Sequence, residues 1–443
     1  MNRQRILLII TAVVAILLVA SLTLSITSDQ DPYDYHTGFG STLSVSPDNA
    51  ALLFSYYENG RESIYLGHMD DGTVEKVTEP VKENHRMPQF SPDGEGIVYL
   101  SADHDGVQSL YYQDSIGGKG AVNLTGSDAH IADAAFSPDG RTIYYIAMPA
   151  DDFLKPEGEK DNGADLFTVA TEGGEAVKLT DKDSFAMDGL AVSADGQTLY
   201  YTEFDGVQKL TAYSLEDGTE NTPLQGFLRG DVYQPEFSPN NKLLAYTAVS
   251  EASRDNGSTF EYELFLLETS TGETDKLTSY RASVTSPAFF HEDNRIAFLA
   301  QPNWPSQPED FEVMTVDAST GEILPLRLDV PETTSGFQLA ILAYWFTNPI
   351  MMTVLYLLLF GLLTVYSKSA KNQVYLPAHA SAVLTILVIG GSFAAGVYDP
   401  WMGIGLFMLA GGLTGCTAGI YVFALVYSSL KKSKSRKKVL DTA

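Results

Sequence analysis

The sequence predicts an all-β ectodomain folded as a six-bladed β-propeller, with transmembrane α-helices at both ends, one N-terminal and three C-terminal. Three observations predict it. A four-strand unit recurs six times between residues 40 and 330, long apolar runs flank the array, and acidic and basic residues are segregated between the two regions.

The unit is plainest from Arg86 to Thr125. Four β-type runs, Met87-Pro88-Gln89-Phe90, Ile97-Val98-Tyr99-Leu100, Ser109-Leu110-Tyr111-Tyr112 and Val122-Asn123-Leu124-Thr125, are separated by Ser91-Pro92-Asp93-Gly94, Gly106 and Gly117-Gly118. Ser can bond the backbone ahead of it, Pro presets φ, and Gly accepts the positive φ that closes a hairpin. The β-branched and aromatic residues on either side suit buried, pleated strands. The turn recurs as Ser46-Pro47-Asp48-Asn49, Ser137-Pro138-Asp139-Gly140, Ser193-Ala194-Asp195-Gly196 and Ser238-Pro239-Asn240-Asn241, with His291-Glu292-Asp293-Asn294 as a worn sixth copy. The copies begin at 46, 91, 137, 193, 238 and 291, in steps of 45, 46, 56, 45 and 53 residues. That period is that of a four-stranded propeller blade. Six blades in a ring bury faces that one blade alone would leave wet. The strand that completes the last blade could come from either end of the array.

The pattern Pro-x-Phe-Ser-Pro-Asp-Gly, Ile-x-Tyr, Leu-Tyr and Leu-Thr resembles the WD-like repeat of TolB-type β-propellers over about residues 40 to 328. The resemblance implies the propeller fold. Propellers of this type serve as protein-binding platforms, as periplasmic assembly factors and as gating domains of peptidases, so it does not select one activity.

Taken in order, residues 1–27 read as an N-terminal signal anchor. Arg3 and Arg5 precede an apolar run from Ile6 to Ile26, which is long enough to span a bilayer and longer than the centre of a cleaved signal peptide. Residues 28–39 form an Asp-rich linker, and 40–330 the propeller. Three further spans are expected within 337–428. Asn348-Pro349 breaks the first apolar stretch, so its span proper begins after the proline, and Phe337 to Phe346 is expected to lie at the interface. A basic tail, 429–443, ends the chain.

Charge sets the expected topology. Lys368, Lys371, the tail and Met1–Arg5 are the basic segments, which places both termini in the cytoplasm and the propeller outside a multi-pass plasma-membrane protein. Of the 56 acidic residues, 54 fall within residues 28–335 against 18 of the 28 Lys and Arg, a net charge of about −36. Such an ectodomain excludes nucleic acid as a partner. Cys416, the only cysteine, lies in the last span and allows no intramolecular disulfide.

No catalytic motif is evident: Gly-x-Ser-x-Gly, His-Glu-x-x-His, paired cysteine ligands and a phosphate loop are all missing. No cofactor or metal is expected. Asp70-Asp71-Gly72 and Asp103-His104-Asp105-Gly106 are the nearest approach to a calcium loop, and both lack its full oxygen spacing. The expected binding residues fall in two groups on one face. Long loops between the second and third strands carry Asp151, Asp152, Phe153, Arg254, Tyr262, Trp304 and Phe311. The entries to the first strands border the channel mouth with His36, His85, Arg86, His130, Asp133, Asp188, Asp231 and Arg281. Gly411, Gly415 and Gly419, four residues apart, are the expected helix-packing positions, within the bundle or in a helix-mediated oligomer. The functional expectation is a non-catalytic platform for a protein or peptide partner, not an enzyme. The alternatives are a small-ligand receptor signalling through its helices, an enzyme, lyase or hydrolase, with the channel residues as acid and base, and an accessory subunit of a membrane complex.

Overall fold

The computed structural model describes residues 3–27, 31–118, 120–156, 158–204, 206–228, 230–256, 260–291, 293–332 and 345–440. They divide into two compact units, residues 32–335 and the helical remainder.

Residues 32–335 hold six four-stranded antiparallel sheets, and in every sheet the strands are neighbours in sequence order. The blades run 38–76, 84–123, 129–178, 186–221, 233–276 and 283–325. Each Ser-Pro-type turn forms a local hydrogen-bonded knot. The Ser hydroxyl donates to the Asp or Asn two residues on, as in Ser137 Oγ to Asp139 Oδ1 at 2.7 Å, and accepts from the N–H five residues on, as in Thr142 N at 3.0 Å. The same pair of bonds is made at Ser46, Ser91, Ser193 and Ser238. The fourth position is left-handed, with φ of 76° at Gly94 and 57° at Asn241, which is why Gly or Asn stands there.

The core is divided among the six junctions between blades. One buried apolar cluster fills each, from Leu53, Ile64 and Tyr99 between blades 1 and 2 to Leu52, Phe54, Phe290 and Leu299 between blades 6 and 1. Among the described residues no strand is exchanged to close the ring. Instead, the chain leaving blade 6 crosses onto blade 1. Leu326, Leu328 and Val330 pack into the 6–1 cluster, Asp329 N donates to Gly72 O at 2.8 Å, and the Tyr56 hydroxyl donates to Pro331 O at 2.8 Å.

The first strand of each blade faces its counterparts around the ring, so these strands line the central channel. Each of the six carries a bulge or a shift in register. Left-handed backbone marks four of the irregularities, at Met87, Gly189, Gln234 and Ser286.

The helical unit contains four helices long and apolar enough to cross a membrane, spanning Gln4–Ile26, Pro349–Ala370, Leu376–Tyr398 and Pro400–Leu430. As the sequence anticipates, the second begins after Asn348, whose side chain caps it by accepting from Ile350 N at 2.8 Å. Residues 337–344 of the expected interfacial segment lie outside the described residues. The fourth helix extends to Leu440, so the basic tail continues it. Within the bundle, hydroxyls substitute for water. The Tyr356 and Ser381 hydroxyls lie 2.7 Å apart, Ser381 and Thr417 2.6 Å, and Thr385 and Thr417 3.1 Å. Gly411, Gly415 and Gly419 are exposed, with open space where a Cβ would be, so they make no close contact inside the bundle. The close approach is at Gly396 and Gly403, where a Cβ on Gly403 would meet Gly396 Cα at 2.5 Å. Glycine here admits one helix backbone against the next.

Candidate functional site: the central channel

The loops between second and third strands do converge on one face, but several of the residues expected to bind there are engaged in building it. Asp152 is buried, with its carboxylate accepting from Lys155 Nζ at 2.8 Å, Asn162 Nδ2 at 2.6 Å and Asp161 N at 3.0 Å, so it ties its own loop. Asp151 is exposed beside it on the short helix Ala150–Phe153. Phe153 lies flat on His130, ring centroids 3.6 Å apart. Phe311 packs against the 6–1 core cluster. Arg254 is exposed, and its guanidinium occupies the space beside Gly230 that a Cβ there would need. Trp304 Nε1 donates to Phe260 O at 2.7 Å, and Trp304, Tyr262 and Tyr233 form an edge-to-face series with centroids 5.6 Å apart at each step. That series is the aromatic part of the rim.

At the channel mouth His85 and His130 are both neutral near pH 7. Burial pushes each down to about 4. Arg86 Nε lies 2.9 Å from Glu62 Oε2, an ion pair not aligned as a hydrogen bond, and the Glu62 side chain is only 3% exposed. Burial raises the Glu62 carboxyl against the pull of Arg86. Asp231 bonds the Tyr233 hydroxyl. Arg281 is exposed on left-handed backbone, its N–H 3.4 Å from Glu263 Oε1. The calcium-like loops use their carboxylates internally: Asp103 Oδ1 accepts from Asp105 N and Val107 N, and Asp71 Oδ1 from Thr73 N. Among the described residues no group of three or more His, Cys, Asp or Glu is placed to hold a metal ion.

Deeper in the channel, side chains from one inner strand accept backbone N–H groups from the next. Ser44 Oγ takes Phe90 N at 3.2 Å, Gln89 Oε1 takes Phe136 N at 3.3 Å, and Asp133 Oδ2 takes Leu190 N at 2.8 Å. Gln234 Oε1 takes Ser286 N at 2.8 Å, and Ser286 Oγ takes Leu43 N at 2.9 Å. Five of the six junctions are linked in this way. Among the described residues the 4–5 junction is not: there Pro235, which has no N–H, packs on Gly189, where a Cβ would meet the proline ring at 2.6 Å.

Three carboxyl groups line the same part of the channel. Asp133 and Glu236 keep some surface toward the channel yet are enclosed by the ring on all sides. Burial pushes Asp133 up to about 7, with Asp188 adding to the shift and the Leu190 and Ala134 N–H groups opposing it. Burial, with Asp133 as neighbour, pushes Glu236 up to about 8. Asp188 is likewise raised by burial and accepts from the Thr202 hydroxyl. Sequence reasoning found Asp133 and Asp188 but missed Glu62, Gln89, Gln234 and Glu236. Gln89 and Glu236 occupy the variable place of Pro-x-Phe, and that place facing the channel was the available signal.

No family model matches the chain. It is 27% identical over 236 residues to the "Uncharacterized peptidase YuxL" of Bacillus subtilis, a match covering 51% of this chain and 31% of that protein. It is 28% identical over 118 residues to "Dipeptidyl-peptidase 5" of Porphyromonas gingivalis, covering 24% of this chain and 17% of that one. The chain thus spans about a third or less of the length of these curated relatives. A solved structure of a putative TolB from Agrobacterium tumefaciens superposes with a TM-score of 0.48 at 18% identity, covering 60% of this chain and 88% of that one. The relatives overturn one expectation. A non-catalytic platform, and a chain that is no enzyme, is not what proteins named as peptidases support.

Proposed function

We propose that this chain acts in peptide hydrolysis at the outer face of a cell membrane, with its first helix as an uncleaved signal anchor and both termini in the cytoplasm. The peptide class is taken from the names of the curated relatives, and the orientation from the basic residues that flank the helices. The observation that carries the reading is the Asp133 carboxyl, held in the channel by two backbone N–H groups and pushed up to about 7 by burial. A group that exchanges its proton near neutral pH suits general acid–base catalysis. Asp188, raised by burial on the neighbouring inner strand, is a nearby carboxyl that adds to the Asp133 shift, and we assign it the role of the second, acid–base partner.

The chemistry then balances with water as the only co-reactant. The ionised carboxylate takes a proton from water as the oxygen bonds to the peptide carbonyl carbon. The protonated partner gives its proton to the nitrogen as the C–N bond breaks. Substrate reaches the pair past the rim of Tyr233, Tyr262 and Trp304.

The test is cleavage of a fluorogenic peptide mixture by the full chain in lipid vesicles, between pH 5 and 9. Asp133→Asn is expected to lower the rate about 100-fold or more. A wild-type chain that cleaves nothing, or an Asn variant that cleaves as fast, overturns the reading. For the orientation, a membrane-impermeant thiol reagent on intact cells should label His104→Cys and spare Ser433→Cys, and the reverse result overturns it.

A further inference from the structure

The unlinked 4–5 junction is also where the propeller has a cavity. It measures about 180 Å³ and is lined by residues of the Ser-Pro-type turns of blades 3, 4 and 5 together with Gln89 and Glu236. It therefore belongs to the turn face of the ring, opposite the long-loop rim. Its walls include Phe136, Leu190, Val192 and Phe237. The Ser193 and Ser238 hydroxyls that border it are consumed by their own turns. Three polar side chains remain, Glu236, Gln89 and, at the turn edge, Asn241. Among the described residues Glu236 has no hydrogen-bond partner, and the Gln89 Nε2 donors have none either, because the bond to Phe136 N uses only Oε1. Both side chains are half-buried and border the cavity, so their free polar atoms are open to a ligand there.

We infer that this cavity binds a small α-amino carbonyl compound, with the ammonium group on Glu236 and the carbonyl oxygen on the Gln89 side-chain amide. The site offers one carboxyl acceptor and the side-chain amides of Gln89 and Asn241, and no Lys or Arg is among its lining residues. An ammonium bound at Glu236 favours its ionised form, Asp133 stands beside it as a second carboxyl, and the domain as a whole is strongly acidic, so a cation is drawn in and an anion turned away. The volume equals about six waters at ~30 Å³ each. That accommodates an ammonium, an α-carbon with a small side chain, and a carbonyl. The carbonyl could belong to a free amino-acid derivative or to the first residue of a peptide whose remainder leaves through the turn face. The site stands apart from the proposed hydrolysis: it holds or fails whether or not peptides are cut.

The experiment measures binding of alaninamide, trialanine and their N-acetyl counterparts to the full detergent-solubilised chain, by calorimetry and by the shift in thermal unfolding. Alaninamide is expected to bind and N-acetyl-alaninamide not to. Trialanine binding as well identifies a peptide terminus as the occupant, and its failure beside alaninamide binding identifies a free amino-acid derivative. Glu236→Gln should weaken binding at least tenfold while leaving the fold intact, since Gln matches the protonated carboxyl in shape and hydrogen bonding. Ala194→Leu, an exposed turn position on the cavity edge, should weaken it by crowding without touching the polar pair. Equal binding of the acetylated compounds, unchanged affinity in Glu236→Gln, or no binding of any of the four overturns the inference.

Discussion

Raising the pH should destabilise the propeller, and Glu236→Gln should remove much of that loss. The Glu236 carboxyl titrates at about 8 in the folded chain and near 4.5 when unfolded. Below the unfolded value it is protonated in both states and costs nothing. Between the two values the unfolded chain releases a proton that the folded chain keeps, so stability falls as pH rises, by up to about 1.4 kcal/mol per unit. Above about 8 both states are ionised and the loss is complete. Across the window the full linkage approaches ~5 kcal/mol. Water in the channel relaxes the burial, so a net loss of about 2 to 3 kcal/mol is the figure to expect. Asp133, raised to about 7, adds a loss of the same sign that ends sooner. In a unit of about 300 residues about 2 kcal/mol moves Tm by roughly 3 °C. The assay is thermal unfolding of the full chain in detergent, followed by circular dichroism of the β structure from pH 5 to 9. Wild type should lose several degrees between pH 5 and 8.5, and Glu236→Gln should match it at pH 5 but exceed it at pH 8.5. Parallel curves for the two proteins across the whole range would refute the reasoning, because they would mean that Glu236 ionises alike in both states.

Two further outcomes test the architecture. Leu328→Ala strips a half-buried side chain from the segment that crosses from blade 6 to blade 1, and should cost about 1 to 2 kcal/mol in denaturant unfolding of the propeller. In the helical unit, Gly403→Ala places a methyl against the Gly396 backbone and should separate the last two helices, whereas Gly411→Ala should change nothing. Disulfide formation between cysteines introduced into those two helices reads the difference.

What the sequence made legible was whatever a few adjacent residues decide. Ser137, Asp139 and Gly140 close their turn within six residues, so the six-fold repeat could be counted, and the period then set the number of blades. Asn348-Pro349 announced a helix start for the same reason. The channel was only partly readable because its bonds join distant residues. Gln89 meets Phe136 47 residues on, and Asp133 meets Leu190 57 residues on, and no local pattern encodes such pairs. Asp152 drew attention as a charged loop residue, yet its charge serves three donors within ten residues of itself. The glycine repeat at 411, 415 and 419 had the spacing of a packing face, but spacing cannot say whether a neighbouring backbone is present. That depends on how the Leu376–Tyr398 helix crosses its partner at Gly396.

The closure of the ring has one more consequence. In a closed array of wedges the chain's own seam would be the natural place to come apart, since nothing covalent joins blade 6 to blade 1. Here the seam is doubly fastened, by Ser286 on Leu43 and by the crossing segment at Tyr56 and Gly72. The slack joint lies two junctions away, between blades 4 and 5. Breathing of the propeller should therefore begin on the flank that carries the cavity, and the entry and exit of the chain would stay shut while it does. A ring organised in this way can admit a small molecule at its turn face without loosening the two ends by which it is held.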